Sequence, residues 1–131
     1  MRRHDWADRM FSVIDAHQSV SFEWGVNDCC LFATRVIDAM TDGDIAEQIL
    51  TRYHDEPTGK ALIAEYGSLQ AVTTHYYGEP SSERPTRGDL VLVDGGLGDA
   101  LGICVGGYVL CMGPDGLRKL PRSEIRACWK T

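Results

Sequence analysis

Two adjacent cysteines, Cys29 and Cys30, stand directly behind an aspartate in SFEWGVNDCCLF, residues 21–32, just ahead of an apolar run. A thiol attacks a carbonyl only as thiolate, and the first turn of a helix favours that form through unpaired N–H groups and the macrodipole. Asn27 or Asp28 can cap a helix starting here, which gives Cys29 the setting of a nucleophile. Hydrolysis also needs a base: an imidazole within hydrogen-bond reach, itself oriented by a third polar group. The four histidines, His4, His17, His54 and His75, all precede the strand-like part of the chain. His75, beside Tyr76 and Tyr77, is singled out as a surrogate base, although solvated and capping roles are commoner for such residues. Core packing is the competing reading for Cys29, and the expected role of Cys30, Cys104, Cys111 and Cys128, because unpaired cysteine is among the most buried residue types.

The elements that must position these residues follow from periodicity. Trp6, Met10, Val13 and Ile14 recur at helical spacing between residues 4 and 17, and Phe32, Ala33, Val36, Ile37 and Met40 form a second stripe that stops before Gly43. Asp44, Thr58 and Ser68 open three shorter helices. GEPSSERPTRG, residues 78–88, is a loop. Beyond it, residues 90–93, 101–105, 108–112 and 125–129 are rich in branched and aromatic side chains and read as strands, with a two-residue turn at Gly106-Gly107. Helices followed by an antiparallel meander predict an α+β fold, N-terminal helices packed on one face of a C-terminal sheet, in a single domain over residues 1–131.

A net charge of -6 and a pI near 5.1 oppose attraction to nucleic acid and to anionic membranes. The apolar stretch 100–112 is too short to span a bilayer, and Met1-Arg2-Arg3 runs into His4, Asp5 and Asp8 rather than a signal peptide's apolar region, so membrane insertion is not expected and a cytoplasmic origin is. An odd count of five cysteines favours free thiols, and their spacing does not supply the two close pairs of a zinc site. DGGLGDALG joins two strands and lacks G-x-G-x-x-G, so it reads as a hairpin loop; no metal or cofactor is called for.

FEWGVNDCC resembles the entry motif of NlpC-type papain-like cysteine peptidases: Tyr-x-Trp-Gly, a short variable stretch, then Asp-Cys-Ser-Gly at a helix start. Trp24, Gly25, Asp28 and Cys29 match it. RGDLVLV is similar to that family's Gly-Asp-Leu-Val strand and ALGICVGGYVLCM to the hairpin after it, with matches at Gly88, Asp89, Leu90, Val91, Gly102, Ile103 and Gly106. The resemblance covers residues 22–112. It implies a papain-like (NlpC-like) fold with Phe22, Trp24, Gly25, Cys30, Ala100 and Met112 around a groove at Cys29. The departures fall on the chemistry. The family's histidine falls on Ala100, its third polar residue near Cys111 or Met112, its tyrosine on Phe22 and the serine after its nucleophile on Cys30; neither Ala100 nor Met112 takes up a proton as imidazole does. The compact form, with DCC, a late GD hairpin, Gly116-Leu117 and a terminal Trp129, looks like a family of prophage tail modules. These resemblances imply a domain that lost its catalytic dyad and serves as a structural or assembly component of a phage tail, made in the bacterial cytoplasm and bound to other tail proteins. Two further readings stay open: an active amidase or peptidase cutting peptidoglycan peptides with Cys29 as nucleophile, and a peptide-binding module that uses the groove without cleavage.

Overall fold

The computed structural model describes residues 1–96 and 98–131; the hairpin loop expected at DGGLGDALG contains Leu97, which lies outside the described residues. Helices α1 (Trp6–Ala16), α2 (Cys29–Thr41), α3 (Ile45–Leu50), α4 (Glu56–Tyr66) and α5 (Leu69–Tyr77) precede strands β1 (Leu90–Asp94), β2 (Asp99–Cys104), β3 (Tyr108–Gly113), β4 (Gly116–Pro121) and β5 (Ile125–Trp129). The five strands form one antiparallel sheet in the order β4-β3-β2-β1-β5, so the architecture is α+β.

Of the two candidate caps for α2, the structure uses Asp28, whose carboxylate accepts from the Leu31 N–H at 2.9 Å. The α2 stripe Phe32, Val36 and Met40 is fully buried with Met10 and Ile14 of α1 and with Leu90, Leu101, Ile103 and Met112 of the sheet. Helix α3 starts directly behind Asp44, as expected, but its cap comes from elsewhere, and the expected start of α4 is corrected. Asp44 makes no side-chain cap for α3; the carboxylate of Asp38, reaching across from α2, accepts from the Ile45 and Ala46 N–H groups at 3.0 and 2.9 Å. Thr58 does not open α4 but closes a capping box with Asp55, the N-cap three residues before it.

A strand absent from the sequence reading, β4, lies on a sheet edge, and its adjacent charges Arg118 and Lys119 hide any alternation while blunting that edge. It changes the shape of the sheet. Strands β4 and β5 sit at opposite edges, about 19 Å apart if the sheet were flat. Yet only the single turn Arg122–Glu124 joins them, and the stretch from Pro121 to Ile125 reaches at most about 14 Å. The sheet must curl, and Leu120 of β4 and Ile125 of β5 do pack into one cluster. The face turned away from the helices is therefore also apolar. Val91, Val93, Cys104, Val109, Cys111 and Cys128 fill the interior of this half-barrel, as the packing role expected of the three cysteines requires. Gly102 leaves no room there, since a Cβ would sit 2.7 Å from the Leu110 carbonyl oxygen and 2.8 Å from the Val109 side chain.

Asp89, the aspartate of RGDLVLV, is wholly buried at the start of β1. It accepts from Arg2 at 3.0 Å, Lys130 at 2.6 Å and the Thr86 N–H at 2.7 Å, which ties both chain ends to the loop 78–88. The same loop covers β5, with Ser81 donating to the Cys128 carbonyl and Trp129 to that of Gly78. No helix among the described residues is long and apolar enough to cross a membrane.

Candidate functional site

The site is assembled on the turn ahead of α2. Gly25 has φ +77, and a Cβ there would collide with the backbone of His54, so only glycine fits. Trp24 lies on Gly59 of α4, where a Cβ would come within 2.8 Å of its ring, and Phe22 meets Trp24 edge-on at 6.1 Å. Asp28 locks this arrangement. It is 2% exposed, and besides capping α2 it accepts from the Gly25 N–H at 3.0 Å and from the Tyr53 hydroxyl at 2.6 Å. Burial and the nearby acidic groups push the Tyr53 hydroxyl's pKa up, so at neutral pH it stays a donor to that carboxylate.

Cys29 is thereby held at the first position of α2 with its side chain at the mouth of the half-barrel. It packs with Ala100 against the layer that contains Val93 and Cys111. Burial pushes its thiol up to about 12, helped by Cys111 and Asp28, while the Leu101 and Cys30 N–H groups pull the other way. Helix-end stabilisation is thus outweighed by desolvation, opposite to the expectation for an activated thiol. Cys30 is likewise driven well above the ordinary thiol range by burial.

A groove of about 340 Å³ runs past Cys29, bounded by Phe22 and Trp24, by Glu56 and Lys60 of α4, by Gly95, Gly98, Asp99 and Ala100 at the β1–β2 hairpin and by Cys111 to Pro114 with Arg118. Behind it lies a smaller chamber of about 70 Å³ under α3, α4 and α5. Phe22, Trp24, Cys29 and Asp99 line both spaces.

The structure brings together Phe22, Trp24, Cys29, Ala100 and Met112 as groove-lining residues, with Asp28 and Cys30 on the chamber side and Gly25 in the supporting turn. Strand alternation separates the two candidates for the third polar position. Cys111 faces into the half-barrel beside Cys29, whereas Met112 faces the helices and accepts a contact from the Asn27 amide at 3.8 Å. His75 is not brought to Cys29. It is exposed on α5, edge-on to Tyr66 and Tyr76 at 5.1 and 4.9 Å. His17 bonds the Val13 carbonyl, His54 sits beside Asp55, and His4 lies by the N-terminus; none of the four lines the groove. Tyr53, Asp99, Lys60 and Arg118 belong to the site, but no motif spacing links the α3–α4 loop, α4 or the strands that carry them to Cys29.

The chain matches, over residues 1–131, the family described as Domain of unknown function (DUF6950), and it belongs to that family. No curated protein matches it.

Proposed function

We propose that the chain is a non-catalytic domain on a papain-like, NlpC-like layout, and that it serves as a structural or assembly component of a phage or prophage tail. One observation carries the loss of catalysis: the side chain beside Cys29 on β2, where the resembling peptidases place their histidine, is the methyl group of Ala100, and no imidazole lines the groove among the described residues. A thiol pushed well above the ordinary range by desolvation is held in its protonated, non-nucleophilic form at neutral pH. The order of elements supports the layout, with a cysteine heading a helix packed on the first strands of an antiparallel sheet. The tail role rests on the sequence resemblance to prophage tail modules, with other tail proteins as partners.

Two measurements test this. Iodoacetamide at neutral pH should label Cys29 no faster than a buried thiol, and purified peptidoglycan peptides should stay intact; rapid, selective labelling of Cys29 with peptide cleavage would establish the hydrolase reading instead. Ala100→His sharpens the test. If the layout is papain-like, an imidazole there reaches the sulfur and accelerates labelling by at least tenfold, and an unchanged rate argues against it.

A further inference from the structure

The chamber behind Cys29 has a chemistry of its own. Its wall is apolar, formed chiefly by Trp24, Ile49, Leu62, Leu69 and Val72. Away from the doorway, where Asp99 stands, its polar members are Asp28 and Tyr53, which are bonded to each other at 2.6 Å, and Asp28 also accepts from the Gly25 and Leu31 N–H groups. Water inside would find few partners, so an apolar group is the favoured occupant. The volume of about 70 Å³ is half of the roughly 150 Å³ that admits a benzene ring, which excludes an aromatic side chain or a long acyl chain and suits a branched aliphatic group.

The doorway adds a charge. Asp99 lines both chamber and groove, is exposed, and has no ion-pair or hydrogen-bond partner among the described residues. Directly across the hairpin stands Asp94, also without a cationic partner among the described residues, an arrangement of like charges that a cation relieves. The nearby cations are engaged elsewhere: Lys60 pairs with Glu56 at 2.7 Å, and Arg118 donates to the Gly95 carbonyl at 3.2 Å. Gly95, Gly98 and Gly113 present no side chain on the groove wall, so a backbone can approach closely.

We infer that the groove takes an extended peptide segment of a partner protein, with one branched aliphatic side chain seated in the chamber and a neighbouring Lys or Arg against Asp99. This rests on the reading of the groove as a site that does not cleave.

The probe is the capped tetrapeptide acetyl-Gly-Lys-Leu-Gly-amide, titrated into the whole protein with the Trp24 indole N–H as NMR reporter and identified by Trp24→Phe. Saturable binding is expected. Replacing the peptide's leucine by glycine should weaken it about tenfold or more, and replacing its lysine by glutamate several-fold. Val72→Met, which fills the chamber, should remove the leucine preference, and Asp99→Asn the lysine preference alone. Equal binding of the leucine and glycine peptides to the wild-type protein, or no binding below about 10 mM, overturns the assignment whatever the variants do. A self-associated dimer that the peptide cannot displace overturns it too, since the occupant is then a second copy. Cleavage of the bound peptide, read by mass spectrometry, sinks the non-catalytic proposal and leaves the chamber assignment standing.

Discussion

Asp28 and Asp89 are both buried carboxylates in the stretches that carry the motif resemblance, and they are satisfied by opposite means. Asp28 is held by neutral donors, the Gly25 and Leu31 N–H groups and the Tyr53 hydroxyl, all serving the turn that presents Cys29. Asp89 is held by two cations from opposite ends of the chain, Arg2 and Lys130, together with the Thr86 N–H. The first is a local positioning device; the second is a long-range clamp. A buried charge is tolerated only when its donors are in place, so each aspartate commits its surroundings, and the difference lies in what is committed.

The largest expected effect therefore belongs to the clamp. Asp89→Ala strands two cations and should cost about 3–5 kcal/mol in urea unfolding, while Cys29 alkylation in the folded protein stays unchanged. A change in that rate would erase the distinction between the two sites. Asp28→Ala removes a helix cap and the acceptor for two further donors, for about 2–3 kcal/mol, and it should speed alkylation of Cys29 several-fold by removing a negative charge beside the thiol. An unaltered alkylation rate would show that Asp28 does not govern the cysteine.

The thiol itself gives a pH test. Its folded pKa, about 12, lies above the ordinary value of 9.0, so the protonated form stabilises the fold fully below pH 9 and this contribution is lost as pH rises towards 12. Cys111 and Cys128, pushed up to about 11 by burial, act in the same direction. The urea midpoint should fall above pH 9, and Cys29→Ser should make the fall shallower; an identical slope in the variant would mean that the fold does not hold this thiol protonated. Tyr53→Phe leaves the Asp28 carboxylate one donor short and should cost about 1–2 kcal/mol with little effect at neutral pH on Lys130 or the termini. The smallest effect is at the clamp's margin: Arg87 lies over Trp6 at 5.3 Å on the face of the molecule near Arg2, and Arg87→Ala should cost about 0.5 kcal/mol.

Much of the fold was legible in the residues. The stripe from Phe32 to Met40 gave α2 its face, Gly106-Gly107 marked the β2–β3 turn, and GEPSSERPTRG separated helices from strands. β4 was not legible, because an edge strand with two adjacent charges carries no alternation. At the site, the cluster from Phe22 to Cys29 announced itself by spacing, whereas Tyr53 and Asp99 reach Cys29 through tertiary packing alone and leave no local trace.

By itself the sequence determined the helix-then-strand order, the start of α2 just behind Asn27 and Asp28, and the confinement of all four histidines to the helical half of the chain, since these depend on residue type and short-range periodicity. Only the tertiary structure decided that the sheet curls, that the thiol at a helix start is driven up rather than down, and that an apolar chamber lies behind it. The reason is the same in each case: desolvation depends on what is packed around a group, and that is set by segments far apart in the chain.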